Sequence, residues 1–153
     1  METQIDYVEN WTNDNDAPVC ESIHRPVHIE NITDGSILGP EWLMGKRIYG
    51  LSAIGNPESF TYTLKGLGAD LIKHRKFHDH HNYNRKEITD IISEAKSLNA
   101  DAIVVTQKDI VKIRNMDIKG FNILSLKIEI QITKGIELYE EAIDRVLSLN
   151  VNN

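Results

Sequence analysis

Ala102-Ile103-Val104-Val105 is a continuous apolar run of strand length, placed directly after a segment with helical periodicity. In the preceding segment Ile88, Ile91, Ile92, Ala95 and Leu98 recur at i, i+3, i+4, i+7 and i+10, one face of an amphipathic helix. An apolar run without alternation suits a strand covered on both faces, as in a parallel sheet. A helix leading into such a strand is half of a βαβ unit. That juxtaposition limits the chain more than its composition does.

The same alternation extends in both directions. Arg47 to Ile54 carries Ile48, Tyr49, Leu51 and Ile54 and reads as a strand. Asn56-Pro57 then places a capping residue before a proline at the first helical position, where the missing N–H costs nothing. The expected helix presents Phe60, Leu64 and Leu67 and stops at Gly68. Ala69 to Phe77 is a second strand, and Asn84 with Glu87 three residues on predicts a capping box for the next helix. After Val105, Ile110 and Val111 indicate a short helical turn. Leu124, Leu126, Ile128, Ile130 and Ile132 alternate strictly with Ser125, Lys127, Glu129 and Gln131, which predicts an edge strand with one wet face. Tyr139, Ala142, Ile143, Val146 and Leu147 mark a last amphipathic helix. Upstream, Pro18 to Glu30 reads as an extended segment punctuated by Pro26, and Asp34-Gly35-Ser36 as a turn.

Strands alternating with helices imply right-handed crossovers and an α/β fold: a mainly parallel sheet with flanking helices, Rossmann-like and three-layered. The expected organisation is a poorly ordered or weakly helical lead-in over residues 1–17, rich in Asn, Asp and Glu, and a single α/β domain over 18–153. The formal net charge of −6 argues against nonspecific nucleic-acid binding, which runs on Lys and Arg neutralising phosphates. Cys20 is the sole cysteine, so no intrachain disulfide forms, which suits a reducing compartment. With no basic-then-apolar leader and no apolar run near the roughly 20 residues of a membrane span, a cytoplasmic location is expected.

Sites in open α/β sheets lie beyond the carboxyl ends of the strands. Three polar segments follow three successive predicted strands and so emerge at one edge. In Ser52-Ala53-Ile54-Gly55-Asn56-Pro57 the helix start offers backbone N–H groups to an anion, with a plain strand-to-helix turn as the simpler reading. In Phe77-His78-Asp79-His80-His81-Asn82-Tyr83, with His74 upstream, four of the six histidines fall within eight residues. A histidine moves protons near neutral pH and an adjacent carboxylate orients it, so acid–base chemistry ranks above a merely solvated loop. Metal binding ranks lower, because adjacent residues point different ways and no remote Asp or Cys group completes a shell. In Thr106-Gln107-Lys108-Asp109, Lys108 could contact a phosphate and Asp109 could hold that lysine or cap the following turn; a helix cap with a surface ion pair is equally good.

Gly39-Pro40-Glu41-Trp42-Leu43-Met44-Gly45-Lys46 imitates a nucleotide-binding loop but fails as one. Five residues rather than four separate the glycines, Arg47 stands where Ser or Thr should hold magnesium, and the segment precedes a strand.

In this order the three loops, with His24-Arg25-Pro26 before them, resemble the carboxy-terminal half of the lipid A 4'-kinase family, the tetraacyldisaccharide 4'-kinases. The likeness runs from about Pro18 to the last helix, with Ala53 where the family usually has Gly and Gln107 where it usually has Glu. The resemblance implies transfer of the ATP γ-phosphate to the 4'-hydroxyl of tetraacyldisaccharide 1-phosphate, a lipid A precursor at the inner-membrane surface. It implies that His80 assists deprotonation of that hydroxyl, with Asp79 beside it; from the loops themselves, Asn56, Lys108 and Asp109 are expected to contact substrate or phosphate. ATP and Mg2+ would be bound mainly by a P-loop amino-terminal half, without which this chain is expected to be inactive; a carboxylate pairing with His80 is also expected from that half. An exposed strip where that half docks is expected, through which the isolated domain dimerises or associates weakly. Two other readings are a non-enzymatic binding or regulatory domain derived from the kinase, and a metal phosphoesterase built on Asp79-His80-His81, which lacks the further aspartate motifs of that class.

Overall fold

The computed structural model describes residues 19–116, 118 and 120–150; the expected lead-in over 1–17 lies outside the described residues. The chain divides into two compact units, Pro26–Glu129 and a second formed from Met1–Arg25 and Ile130–Asn153.

The strands are β1 (Glu21–Asn31), β2 (Ile37–Leu38), β3 (Arg47–Ser52), β4 (Asp70–Lys76), β5 (Ala102–Thr106) and β6 (Ile123–Lys134). The helices are α1 (Pro57–Gly66), α2 (Arg85–Ser97), α3 (Gln107–Ile113) and α4 (Ile136–Asn150). The sheet order is β2-β1-β6-β5-β3-β4, with β4, β3, β5 and β6 parallel and β2 antiparallel to β1. The α/β fold with a mainly parallel sheet is therefore as the periodicity predicts.

Alternate residues of the central strands enter two cores. Tyr49, Leu51, Ile103, Val105 and Ile123 pack with Ile88, Ile91 and Ala95 of α2 and Ile110 and Ile113 of α3. Ile48, Ala102, Val104, Leu124 and Leu126 pack with Phe60 and Leu64 of α1. The period-two geometry of strands thus puts α2 and α3 on one face and α1 on the other, giving three layers. Ile103 and Val104 are both buried although they point opposite ways, which is why Ala102 to Val105 shows no alternation.

The local signals hold closely. Asn84 Oδ1 accepts from Glu87 N at 2.9 Å and Glu87 Oε2 accepts from Asn84 N at 2.9 Å, a complete capping box for α2. Gly68, two residues after α1 ends, has φ +79°, the left-handed turn a side chain would resist. Pro40–Leu43, inside the rejected nucleotide-loop imitation, is a 3-10 turn leading toward β3. Pro26 lies within β1, but β2 pairs with β1 only at Ile29 and Glu30, so on that side its missing N–H interrupts no ladder.

One expectation needs correction. β6 is not an edge strand; it lies between β1 and β5. Its pairing with β5 covers only Ile123 to Leu126, and those four residues are buried on both faces. Past Leu126 the strand outruns β5, and Ile130 is exposed despite its place in the alternation. The alternation therefore continues where the structure gives it no half-buried sheet to match.

In the second unit, Cys20 Sγ donates to Gly135 O at 3.1 Å and Lys134 Nζ meets Glu21 Oε1 at 2.6 Å. Gly135 has φ +73° and a Cβ there would lie 2.6 Å from Val19 O, so only glycine fits. α4 leaves Leu138, Tyr139, Ile143, Val146 and Leu147 exposed. Among the described residues no helix is long and apolar enough to cross a membrane.

Candidate functional site

β3, β4 and β5 are parallel, so the segments after them leave the sheet at the same edge. Those segments meet at Asp79. A Cβ on Gly55, from the loop after β3, would lie 3.6 Å from Asp79 Oδ2. Lys108 Nζ, from the segment after β5, lies 3.9 Å from Asp79 Oδ1. His80 Nε2 lies 3.6 Å from Asp79 Oδ2, and the His80 backbone N–H donates to Asp79 Oδ1 at 3.0 Å. One carboxylate thus faces an imidazole, an ammonium and a glycine from three loops.

His80 is held in an unusual backbone conformation, φ +60°, and its side chain is 78% exposed. A non-glycine residue with positive φ is uncommon and draws attention to the turn that imposes it. The turn is tied at both ends. Phe77 N donates to Ser52 O at 2.8 Å, and His81 N donates to His78 O at 3.2 Å.

Behind the exposed His80, His81 is anchored. It stacks on Phe77 with centroids 4.4 Å apart and meets Tyr83 edge-on at 5.2 Å. Its Nδ1 lies 3.3 Å from His78 Nε2 and its Nε2 3.3 Å from Glu87 Oε2. Glu87 therefore caps α2 and holds His81 with the same carboxylate; its hydrogen bond from Asn84 N, with the help of His81, keeps it below the usual carboxylate range.

Asp109 is fully buried, so its carboxylate faces the fold rather than solvent. Its Oδ2 accepts from Ala53 N at 3.0 Å and from the Thr106 hydroxyl at 2.6 Å, while Oδ1 lies 3.6 Å from Lys112 Nζ. Thr106 in turn caps α3 by accepting from Asp109 N. Asp109 consequently locks the first loop to the third. Burial, and then the Asp109 charge, push the nearby Tyr83 hydroxyl well above its ordinary range, so it stays protonated.

The site predicted from sequence is thus partly assembled. The structure brings Asp79, His80 and Lys108 together. Asn56 uses its Oδ1 to cap α1, accepting from Ser59 N at 3.2 Å, and Asp109 pairs with Lys112 rather than with Lys108. His74 does not join the histidine cluster: its Nε2 faces the Ser52 hydroxyl and its Nδ1 the Thr61 hydroxyl, both at 2.8 Å, between β4, β3 and α1. Sequence reasoning passed over Glu87 as a histidine partner and Lys112 as the partner of Asp109. The i, i+3 spacing of Asp109 and Lys112 on a helix was the available signal for the last.

Fold and site together define a three-layer α/β domain with a carboxylate, an imidazole and a lysine gathered at the carboxyl edge of its parallel strands. A family profile described as tetraacyldisaccharide-1-P 4'-kinase, LpxK, matches residues 2–148. The chain belongs to that family. It is 32% identical over 116 residues to the tetraacyldisaccharide 4'-kinase of Syntrophus aciditrophicus, which covers 76% of this chain and 31% of the relative. To the enzyme of that name from an Anaeromyxobacter strain, Fw109-5, it is 32% identical over 132 residues, 86% of this chain and 35% of the relative. The chain therefore spans about a third of the length of these relatives. Among solved structures, LpxK from Aquifex aeolicus, described as an "apo" form in complex with ATP, superposes with a TM-score of 0.50 at 18% identity, over 83% of this chain and 36% of that one. That likeness shows the shared fold.

Proposed function

We propose that this chain is the acceptor-side half of a lipid A 4'-kinase, transferring the ATP γ-phosphate to the 4'-hydroxyl of tetraacyldisaccharide 1-phosphate when joined by a P-loop half. The observation that carries the reading is the convergence of Gly55, His80 and Lys108 on the Asp79 carboxylate. With the Nε2 edge of His80 toward Asp79, Nδ1 is left to take the proton of an incoming hydroxyl. Asp79 favours the tautomer and stabilises the imidazolium that forms. Lys108 is 62% exposed and is placed to meet an anionic oxygen approaching the same edge.

The described residues do not make a nucleotide or magnesium seat. Among the described residues the segment resembling a phosphate loop is the 3-10 turn ahead of β3, which opens no helix from a strand. Phosphoryl transfer rests mostly on positioning phosphates and neutralising their charge. Most of that share falls to a partner half, with Lys108 this chain's contribution to it. The work takes place at the membrane surface where the acceptor resides, with the protein on the cytoplasmic side.

The test is phosphate transfer from labelled ATP to tetraacyldisaccharide 1-phosphate, with the chain alone and with the amino-terminal half of a related kinase. Activity in the mixture alone, abolished by His80→Ala, supports the proposal. A mixture that forms a complex yet transfers nothing would favour the second reading, a binding or regulatory domain.

A further inference from the structure

Within Pro26–Glu129 a cavity of about 390 Å³ opens between α3 and the neighbouring strands β1 and β6, apart from the Asp79 cluster. Its volume falls in the range of small-molecule sites, roughly 300–1,000 Å³. Its lining follows from periodicity. His28 and Glu30 share one face of β1, and Ser125 and Lys127 share one face of β6. Gln107, Val111 and Arg114 fall at i, i+4 and i+7 along the helical stripe that closes the groove, whereas Lys108 and Lys112 lie on another stripe.

The charge there runs against the rest of the molecule. In a chain of formal net charge −6, this cavity sets Arg114 and Lys127 against a single lining carboxylate, Glu30. Arg114 Nη2 meets Glu30 Oε1 at 2.8 Å, which occupies one of five guanidinium N–H groups and leaves others to face a ligand. Lys127 Nζ lies 3.7 Å from Glu129 Oε1, whose residue is not part of the lining. The Gln107 and Asn115 amides and the buried Ser125 hydroxyl supply neutral donors around these cations, beside the His28 imidazole. Gln107 Oε1 accepts from Ile128 N at 3.4 Å, which turns its amide N–H2 toward other partners.

We propose that this cavity binds a sugar phosphate, with Arg114 and Lys127 on the phosphoryl oxygens and Gln107, Asn115 and Ser125 on the sugar hydroxyls. A guanidinium and an ammonium lining one cavity match a phosphomonoester, and neutral amides with a hydroxyl match a polyol better than an acyl or aromatic group. That chemistry has two sources: a free sugar phosphate, or the phosphorylated disaccharide headgroup of the glycolipid that the family's description names. Only the second source rests on the kinase reading.

The experiment is an amide-resolved NMR titration of the full chain at low salt with glucose 1-phosphate, inorganic phosphate and glucose. A fourth arm uses tetraacyldisaccharide 1-phosphate in detergent micelles, with empty micelles as its blank. Glucose 1-phosphate is expected to saturate shifts confined to α3, β1 and β6, with inorganic phosphate weaker and glucose silent. Arg114→Ala should weaken binding about tenfold or more and Lys127→Gln severalfold. Glu30→Gln, which frees the guanidinium, should tighten binding severalfold, an effect that a purely structural ion pair would not give. All three side chains are half-exposed, and unchanged spectra elsewhere will confirm that the variants fold. Tighter binding of the micellar lipid than of glucose 1-phosphate assigns the site to the headgroup; equal or weaker binding assigns it to a soluble ligand. No saturable shift at the cavity, or a shift unmoved by both Arg114→Ala and Lys127→Gln, overturns the proposal. Equal affinity for inorganic phosphate and glucose 1-phosphate overturns its sugar part. A failed phosphate-transfer assay leaves these outcomes untouched, so the two readings fail separately.

Discussion

The carboxylate of Asp109 accepts a hydrogen bond of 3.0 Å from the backbone N–H of Ala53, a residue 56 positions earlier. Both groups are buried, so the N–H has no water to fall back on once the carboxylate is removed. Asp109→Ala would orphan Ala53 N and the Thr106 hydroxyl and leave Lys112 without its partner. A loss of about 3 kcal/mol is expected in urea unfolding. Asp109→Asn keeps one acceptor oxygen and should lose roughly half as much. Equal stability of Asp109→Ala and the parent protein would show that the latch contributes nothing.

His74 gives the fold a dependence on pH. Burial, and then the nearby Lys76 charge, lower its pKa from 6.5 to about 4. Between those two values the unfolded chain binds a proton that the folded chain refuses. The stabilisation is therefore complete above about pH 6.5 and is lost as pH falls toward 4. Allowing for partial solvent access, the loss is about 2 kcal/mol. Chemical denaturation at pH 7 and pH 4.5 should show it, and His74→Gln should flatten the slope; an identical slope in that variant would remove His74 as the cause.

The strands and helices were legible because their signals are local. The capping box of Asn84 and Glu87, the Asn56-Pro57 helix start and the left-handed Gly68 each depend on a few neighbouring residues, and each is where periodicity put it. The place of β6 in the sheet was not legible, since alternation reports how many faces are wet and not which strands lie alongside. The site divides in the same way. That three loops share an edge follows from parallel strands, and so was readable. That Asp79 rather than Asp109 faces Lys108, and that His74 turns into the sheet, are decided by contacts between residues distant in sequence. Histidine density alone could not separate a half-buried, hydroxyl-bonded ring from an exposed one.

Glu87 serves two elements, and its removal should separate them. Asn84→Ala deletes only the cap of α2 and is expected to cost about 1 kcal/mol. Glu87→Ala also releases His81 Nε2. The expected signature is a His81 ring resonance that shifts and broadens in Glu87→Ala but not in Asn84→Ala. Identical His81 spectra in the two variants would mean that the 3.3 Å contact does not fix the ring.

His80 and Asp79 separate catalysis from stability. The His80 side chain is 78% exposed, so His80→Ala should unfold at nearly the same urea concentration as the parent. In the reconstituted transferase, deleting a general base should lower kcat about 10²- to 10⁴-fold with little change in KM. Asp79→Asn keeps the shape but not the charge that orients His80 and holds Lys108, so it should lower kcat by a smaller factor. In the double variant the two losses should combine to less than their product, because Asp79 acts on the hydroxyl through His80. Losses that multiply independently would mean that Asp79 works through Lys108 on the phosphate side, which would move the carboxylate from the acceptor's proton to the donor's charge.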